Sequence, residues 1–396
     1  MSETQKHTKP NVPNLRFPGF DEEWRKTHLS QMGDIIGGGT PDTTIAEYWN
    51  GNILWFTPSE VGKEKYVSDS NRKISLEGLK NSSAKILPKQ SILLSSRATV
   101  GECSINLKEC CTNQGFQSFI PNNSVVSTEF LYYRLLTHKR DFIRKACGST
   151  FLEISARQIA KISSYLPEKK EQDKIASLLS LIDKRISIQS KVIEDLKKLK
   201  TAIEERIIKL VQGKQISLGD ILEERNEKST ENNQFEVLSS TVTGIFNQRE
   251  YFNKDIASAN NSGYKIVRRG DIVLSPQNLW MGNINYNDCF EIGIVSPSYK
   301  VFSIRKAFDE RYVSFLLKTK KALWAYTLVS EQGASIVRRN LNYESFLEIS
   351  FQIPSYNKQK EVGNVITAVN RKLLLEQKLL LSLSRQKSFL LSNMFI

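Results

Sequence analysis

Cysteine, histidine and long apolar runs are scarce in this chain of 396 residues. Its 5 cysteines are irregularly spaced and form no C-x-x-C pair, and only 3 histidines could add imidazole ligands. A zinc site and a disulfide framework are therefore disfavoured, and reduced, mostly buried thiols are expected. No run of about 18 apolar residues predicts a membrane span, and the polar N-terminal residues do not resemble a secretory signal. The composition thus predicts a cytoplasmic protein.

The sequence also lacks the motifs of common catalysts. It contains neither a G-x-x-x-x-G-K-[ST] phosphate loop nor the N/D-P-P-Y/F tetrapeptide of amino-methyltransferases. The glycines at 37–39 lead into Thr40-Pro41 and predict a turn rather than a dinucleotide loop. Pro41-Asp42 could open a nuclease signature, but no partner lysine follows at the required spacing. We therefore expect a chain without metal, cofactor or catalysis of its own, with an unrecognised active site as one alternative.

Basic residues outnumber acidic ones. The chain has 56 Lys and Arg against 42 Asp and Glu, which gives a formal net charge of +14 and a pI near 9.4. Because basic side chains release condensed counterions from a phosphate backbone, this excess favours a nucleic acid as partner. A merely basic surface is the alternative that charge alone leaves open.

Two long stretches of the chain resemble each other. Pro167 and Pro354, which lie 187 positions apart, each precede a basic helical segment, and GDII at 33–36 is echoed by GDIL at 219–222. Further pairs keep the offset of 187, namely Gln172 with Gln359, Ile182 with Val369, and Lys184 with Arg371. An internal repeat of this kind predicts two similar modules in one chain, which could read two separated sites on one partner.

Each half combines strand-like runs with turn residues and a helical run, which predicts an α+β module. The strand-like runs are 53–56, 86–94 and 116–120 in the first half and 235–238, 265–274 and 298–304 in the second, with turns at 37–41 and 50–52 and helices at 127–145 and 310–328. The predicted boundaries are a globule at 1–167, a helix at 168–212, a second globule at 213–353 and a second helix at 354–396.

Both helical segments carry a heptad pattern of apolar residues with polar interruptions. With Ile175 and Val362 as position a, apolar residues recur at a and d, and others widen the stripe on the e side. The residues assigned to the seam are Ile175, Leu178, Ile182, Leu196, Leu199 and Ile203 in the first helix and Val362, Val365, Val369, Leu379 and Leu383 in the second. We expect the two helices, each about 55 Å long, to form an antiparallel coiled coil. The alternative is that each helix packs on its own globule.

A set of motifs in the first half resembles a known family. These are PNLRFPGF at 13–20 with Trp24, GDI at 33–35, GGTP at 38–41, EYWNG at 47–51, WFT at 55–57, SSRATVG at 95–101 and TNQGF at 112–116. In combination they resemble the specificity (S) subunit of Type I restriction–modification enzymes, and the similarity extends over nearly the whole chain. The second half keeps GDI at 219–221 and GDIVLS at 270–275, but has EERN at 223–226 in place of the GGTP turn.

The resemblance implies an α+β fold with two α/β target-recognition domains separated by two long helices. Each domain would read one half of a bipartite, asymmetric site in double-stranded DNA. The helices would space the domains and dock two methyltransferase subunits, with restriction and translocase subunits joining indirectly. S-adenosylmethionine, ATP and Mg would belong to those partners, so the chain itself would be non-catalytic.

Polar residues at strand ends and in loops are the candidates for DNA contacts, because Arg pairs with guanine and Asn or Gln with adenine. They are Thr40, Arg97, Thr99, Asn113, Gln114, Ser149 and Arg157 in the first half and Ser275, Gln277, Asn278, Ser335, Arg338 and Arg339 in the second. Asn113 and Gln114 could instead satisfy backbone groups in a turn, and Arg338 and Arg339 could be a solvated face. Trp55 and Trp280 are more often core residues than stacking residues.

A second hypothesis is a coiled-coil scaffold or adaptor protein whose basic charge is incidental. The internal repeat favours the DNA reader, because a scaffold has no need of two alike yet diverged globules.

Overall fold

The computed structural model describes residues 11–147, 152–210, 212–252, 260–332 and 338–396. The chain divides into two compact units. The first consists of Met1–Ser190 and Leu379–Ile396, and the second of Lys191–Lys378. Each unit therefore combines a globule with part of both long helices.

The first unit is built from short strands that are mostly antiparallel. Its strands are β1 (Arg25–His28), β2 (Gly33–Gly37), β3 (Trp49–Phe56), β4 (Tyr66–Val67), β5 (Arg72–Ile74), β6 (Ile92–Leu94), β7 (Cys103–Asn106), β8 (Cys110–Thr112), β9 (Gln117–Pro121) and β10 (Ser163–Leu166). Its helices are α1 (Leu76–Lys80), α2 (Thr128–Thr137), α3 (Lys139–Lys145), α4 (Ala156–Ala160) and the beginning of α5 (Lys169–Leu210). The strands form a five-stranded sheet in the order β2-β9-β6-β7-β4, a three-stranded sheet in the order β5-β3-β8, and the pair β1-β10.

Strand β6 is the central strand of the five-stranded sheet. All three of its side chains are fully buried, because both faces of the strand are covered. The main core joins Ile92 and Leu94 of β6 to Phe130 of α2, and it extends to Leu179 of α5 and to Leu390 of the last helix, α11 (Tyr356–Asn393). The globule and the long helices thus share one hydrophobic core within the first unit.

The second unit has the same kind of construction. Its strands are β11 (Lys214–Ser217), β12 (Leu222–Arg225), β13 (Leu238–Ser240), β14 (Ile245–Asn247), β15 (Lys265–Arg268), β16 (Ile272–Leu274), β17 (Ile284–Tyr286), β18 (Ile292–Val295), β19 (Lys300–Ile304), β20 (Ser330–Gln332), β21 (Arg339–Leu341) and β22 (Ser350–Ile353). Its helices are α6 (Leu218–Ile221), α7 (Gln248–Phe252), α8 (Glu310–Leu316), α9 (Lys320–Leu328), α10 (Tyr343–Glu348) and the beginning of α11 (Tyr356–Asn393). The main sheet has the order β12-β19-β16-β17, and the remaining strands pair as β11-β22, β13-β14, β15-β18 and β20-β21.

The predicted internal repeat is confirmed by strand order. The order β12-β19-β16-β17 repeats the order β2-β9-β6-β7, and the pair β11-β22 repeats the pair β1-β10. Equivalent glutamines make equivalent hydrogen bonds. Gln172 Oε1 accepts from the Ser127 amide at 3.0 Å and Gln359 Oε1 from the Asp309 amide at 3.0 Å, where each amide precedes a helix of its globule. Both glutamines are buried, and each links a long helix to its globule in the same way.

Contacts within each unit confirm that α5 and α11 pair in antiparallel directions. In the first unit, the beginning of α5 meets the end of α11, and Lys387 Nζ lies 2.6 Å from Asp183 Oδ1. In the second unit, Ile203 and Ile207 near the end of α5 pack against the cluster that contains Val362 at the beginning of α11. Both helices also pack on the globules, so the two arrangements considered from the sequence occur together.

The seam corrects part of the heptad assignment. Positions a and e are buried or half-buried, whereas several d residues are exposed, with relative exposures of 52% for Leu199, 46% for Val365 and 42% for Leu379. Leu178 is half-buried and packs against the first core. The d column also contains arginine, lysine and glutamine, which stay hydrated, so burial follows the a and e residues, which lie alternately four and three positions apart.

Several predicted runs are interrupted. The 127–145 run is two helices that meet at His138, and the 310–328 run is broken where Thr319 Oγ1 accepts from the Ala322 amide at 3.2 Å and begins α9. In the 86–94 and 235–238 runs, the strands begin only at Ile92 and Leu238. The turn predicted at 50–52 is wrong. Those residues lie inside β3 and shift its register, with Asn50 at φ +59°.

Candidate nucleic-acid interface

The glycine turn and the TNQGF segment of the first unit form one structural piece. Gly38 packs so closely on Asn113 that a Cβ at Gly38 would lie 2.1 Å from the Asn113 carbonyl oxygen. The hydroxyl of Thr40 donates a hydrogen bond to Oε1 of Gln114, whose side chain is exposed. The two segments are 74 positions apart in the sequence, and the fold places their polar side chains together.

Arg97 and Thr99 lie in a tight loop that follows β6. Ala98 has a φ of +63°, which turns the chain sharply, and Thr99 Oγ1 donates to Ser95 Oγ at 3.0 Å. The guanidinium of Arg97 forms an ion pair with Glu153, in which Nε lies 3.1 Å from Oε2. Both side chains are partly exposed, at 42% and 37%, so a negatively charged group held by the protein already occupies one side of Arg97.

These two loops are neighbours. The Ser96 amide donates to the Gly115 carbonyl at 2.8 Å, and a Cβ at Gly115 would lie 3.7 Å from the Cβ of Arg97. Asn113 uses its Oδ1 to accept from the Gly115 amide at 2.9 Å. The backbone role considered for Asn113 is therefore present, whereas Gln114 is bonded to Thr40. The structure thus brings Thr40, Arg97, Thr99, Asn113 and Gln114 together on one edge of the first unit.

Arg157 lies on α4, which begins with a capping box between Ser155 and Gln158. Its side chain is exposed. The segment before α4 is tied to the Arg97 loop, because the Ile154 amide donates to the Ser96 carbonyl at 3.0 Å. Ser149 lies outside the described residues.

Trp55 is a core residue rather than an exposed stacking residue, as the sequence analysis favoured. Its side chain is 3% exposed, and its Nε1 donates to the Gly39 carbonyl at 2.9 Å. Arg72 stacks on the neighbouring Trp49, with its guanidinium carbon 3.5 Å from the ring centre. The two tryptophans therefore hold the glycine turn against the core. Arg72 is an exposed cation near that turn, and the motif analysis did not identify it.

The loop that follows β16 holds the equivalent candidates of the second unit. Ser275 is buried and accepts from Asn278 Nδ2 at 3.3 Å, and it precedes a 3-10 helix at Pro276–Met281. Gln277 is exposed on this helix, and Asn278 is half-buried. The serine is therefore structural, and Gln277 is the side chain that faces solvent.

Arg339 of β21 contacts Trp280 of this 3-10 helix. Its guanidinium carbon lies 4.3 Å from the centre of the Trp280 ring, which is half-buried and serves as a stacking platform. Arg338 is exposed directly before β21, and Ser335 lies outside the described residues. The 3-10 helix and the β20-β21 hairpin thus bring Gln277, Asn278, Arg338 and Arg339 to one region of the second unit.

The EERN segment that replaces the glycine turn is part of the second unit's framework. Glu224 lies in β12 and accepts from Tyr343 Oη and, at 2.9 Å, from Lys300 Nζ. Burial alone would raise the pKa of the Glu224 carboxyl, but the hydrogen bonds from Tyr343 and Lys300 outweigh it and hold the pKa below its usual value. The carboxylate therefore stays charged and is used internally.

A buried asparagine network near the Gln277 loop was missed from the sequence. Asn283 Nδ2 donates to the Ser240 carbonyl at 2.9 Å, and Asn285 Nδ2 donates to the Thr241 carbonyl at 2.7 Å. The network holds the turn between β13 and β14 beside β17. The alternation of asparagine with apolar residues at 283–287 was the signal that could have revealed it.

Among the residues that the structure describes, no three histidine, cysteine or acidic side chains are grouped to hold a metal ion. Within the same residues, the helices are too short or too polar to cross a membrane.

The fold is that of known S subunits. The crystal structure of a Type-I restriction-modification system S subunit from M. genitalium superposes with a TM-score of 0.62 over 97% of this chain and 99% of that one, at 17% identity. A chain from a structure of type I R-M complex assembly and conformational transition gives a TM-score of 0.54 over 95% and 98%, at 12% identity.

Residues 21–198 match the model of the Type I restriction modification DNA specificity domain. This result confirms the resemblance drawn from the motifs. The MjaIX specificity subunit of Methanocaldococcus jannaschii is 37% identical over 182 residues, which are 45% of this chain and 42% of that protein. The EcoR124I/EcoR124II specificity subunit of Escherichia coli is 28% identical over 176 residues, 43% of each. The matched segment thus covers less than half the length of these relatives.

Proposed function

We propose that this chain is the DNA sequence-specificity subunit of a Type I restriction–modification complex, in which each unit reads one half of a bipartite, asymmetric site. The observation that carries the proposal is a pair of equivalent positions in the repeat. Arg97 is the third residue after β6, and Gln277 is the third residue after β16, the equivalent strand. One scaffold therefore presents an arginine in one unit and a glutamine in the other.

The two side chains suit different bases. An arginine pairs bidentately with O6 and N7 of guanine, and a glutamine with N6 and N7 of adenine. In the first unit, Gln114 and Thr40 are next to Arg97, and in the second unit, Asn278 and Arg338 accompany Gln277. Arg72 and Arg157 supply further exposed positive charge in the first unit, which suits phosphate contacts.

The Arg97–Glu153 ion pair would make base recognition by Arg97 more selective. A guanidinium that leaves a carboxylate for a base edge recovers the lost hydrogen bonds only where the base offers two well-placed acceptors. Glu153 would therefore penalise binding at bases other than guanine, and it would repel backbone phosphates. The net positive charge of +14 supplies the non-specific attraction on which this selection acts.

In this proposal the chain is a non-catalytic, cytoplasmic component. The long helices serve as spacer and as docking surface for two methyltransferase subunits, and restriction or translocase subunits join indirectly. S-adenosylmethionine, ATP and Mg are handled by those partners.

The test is selection of random double-stranded DNA by the full chain, followed by sequencing. The expected product is a motif with two constant parts that flank a spacer of fixed length and free sequence. Arg97→Ala should relax one base in one part, and Gln277→Ala one base in the other part. Lys378→Glu, an exposed residue of α11, is the control and should leave both parts unchanged.

Loss of equal size on all sequences would identify Arg97 and Gln277 as phosphate contacts. A single contiguous motif, or an enrichment that does not depend on sequence, would contradict the bipartite reader and favour the coiled-coil scaffold. Methyl transfer by the isolated chain would contradict the non-catalytic assignment.

A further inference from the structure

The second unit contains an open groove between the last turns of α5 and the first turns of α11. Its volume is about 430 Å³. The residues that line it are Ile203, Arg206, Ile207, Gln212, Pro354, Lys358, Glu361, Val362 and Val365. Aliphatic side chains form most of the lining, and Val365 is 46% exposed there. An apolar concavity of this size on a helix pair is a binding surface for a short segment of another chain.

The internal repeat identifies what such a groove holds. Displaced by 187 positions, Val362 corresponds to Ile175, Val365 to Leu178 and Lys358 to Glu171. In the first unit these residues line a place that is filled by the segment at 13–20. The Leu15 amide donates to the Asn393 carbonyl at 2.8 Å, and Asn393 is the counterpart of Arg206. The groove of the second unit is therefore the open copy of an occupied site.

The occupied copy shows how such a segment is recognised. Phe17 and Leu178 both pack against the core that contains Ile175. Arg16 makes two hydrogen bonds of 2.8 Å to the carboxylate of Glu171, which is fully buried. Lys174 lies over Phe20, with Nζ 5.1 Å from the ring centre. The Leu15 side chain is exposed, so the side chains that are recognised are a charged residue followed directly by an aromatic residue.

The charges of the two copies are reversed. Lys358 stands where the first unit has Glu171, and Glu361 stands where it has Lys174. Lys358 and Glu361 form an exposed ion pair of 2.6 Å. A segment that carries arginine at the position of Arg16 would meet Lys358 and be repelled, whereas a segment with an acidic residue there would be attracted.

We propose that this groove docks a segment of a partner protein in which an acidic residue is followed directly by an aromatic residue. It corresponds to the Arg16-Phe17 pair with the charge of its first residue reversed. The inference rests on the repeat and on the contacts of Arg16, and it does not depend on how the units read DNA.

The experiment uses the full chain and two fluorescently labelled peptides. One peptide has the sequence of residues 11–24, and the other is identical except for Arg16→Glu. Fluorescence anisotropy should show the Arg16→Glu peptide binding roughly tenfold more tightly, which is the size expected when a repulsion becomes an ion pair at a partly exposed site. The paired exchange Lys358→Glu with Glu361→Lys should reverse the preference, since it exchanges the charges and keeps the ion pair within the helix.

Two further variants locate the binding site. Val365→Arg places a charged side chain in the exposed floor of the groove and should abolish binding of both peptides. Lys378→Glu makes the same charge change as Lys358→Glu, 20 positions further along α11, and should leave the binding of both peptides unchanged. Circular dichroism of each variant verifies that the helices are intact.

Three outcomes would overturn the proposal. They are the absence of saturable binding by either peptide, a preference that the exchange of Lys358 and Glu361 leaves unchanged, and tighter binding of the unaltered peptide. The last outcome would identify the occupant as the N-terminal segment of a second copy of this chain.

Discussion

Arg16 should stabilise the first unit far more than its place near the N-terminus suggests. Its guanidinium is 15% exposed and forms two parallel bonds of 2.8 Å to Glu171, whose side chain is fully buried. The substitution Arg16→Ala leaves that carboxylate buried without its partner. Removal of one member of a buried ion pair costs about 3 to 5 kcal/mol, because the remaining charge is neither hydrated nor neutralised.

The matched double variant separates the charge effect from lost packing. In Arg16→Leu with Glu171→Leu, both charges are absent and both sites keep an aliphatic side chain. The free energy of unfolding should then lie within about 1 kcal/mol of the wild-type value, because replacing a buried ion pair by apolar residues is often nearly neutral. The interaction energy from the double-mutant cycle should therefore exceed about 2 kcal/mol.

Hydrogen exchange followed by mass spectrometry is the appropriate assay, because it resolves the two units. A loss of about 3 kcal/mol corresponds to a rise of roughly a hundredfold in the exchange rate of the best-protected amides. The rise is expected at amides 175–190 of α5, and amides of β16 in the second unit serve as the internal control. An Arg16→Ala effect below about 0.5 kcal/mol, or a double variant as unstable as the single one, would refute the assignment of the cost to an uncompensated carboxylate.

Three further predictions concern acid stability, the Trp280 platform and the spacer. Burial lowers the pKa of His138 to about 4. The unfolded chain binds a proton at this histidine below pH 6.5, and the folded chain does so only near pH 4. The free energy of unfolding of the first unit should therefore fall by about 3 kcal/mol between these pH values. Acid denaturation in which a His138→Gln variant keeps the full loss would contradict this. Trp280→Leu removes the ring beneath Arg339, so the selected DNA should lose base preference in one part of the motif only. Trp324→Leu, at a tryptophan that is 64% exposed, is the control and should have no effect. Equal effects of the two substitutions would exclude a stacking role of Trp280. Inserting four residues into α5 lengthens the helix by about 6 Å. The unread DNA between the two parts of the motif should then change by one or two base pairs, at about 3.4 Å each. An unchanged DNA spacer would contradict the role of the helix in setting that distance.

The framework was predictable because its signals are periodic and long. The helix after Pro167 and the helix after Pro354 begin and end close to the predicted residues, since apolar residues recur over about ten turns and proline marks the start. The repeat was visible at Gln172 and Gln359 because both glutamines perform the same task of accepting a helix-starting amide. Which flank of the heptad stripe is buried was less certain, because a and d residues are both largely aliphatic and burial depends on the partner helix.

The candidate site was less predictable because it depends on contacts between distant segments. The pairing of Thr40 with Gln114 and that of Arg97 with Glu153 join residues 74 and 56 positions apart, and no local pattern predicts either. The roles of Asn113 and Ser275 in bonding their own loops follow from turn geometry, which a candidate list based on residue type does not contain. The Trp280–Arg339 stack likewise requires that a hairpin returns to the 3-10 helix.

The two halves of the chain have diverged where a change costs little and agree where it would cost much. Gln172 and Gln359 are buried and bonded on both sides of the amide group, so a substitution in either unit would leave an unsatisfied helix-starting amide. Glu171 and Lys358, one residue earlier in each helix, differ in charge because their surroundings differ. Glu171 is covered by the N-terminal segment and must be neutralised by Arg16, whereas Lys358 borders an open groove and pairs with Glu361 on its own helix. The same reasoning applies at the strand ends. Arg97 and Gln277 occupy equivalent positions outside the framework that the two units share, so their chemistry can differ between the units, as the proposed reading of two different half-sites requires.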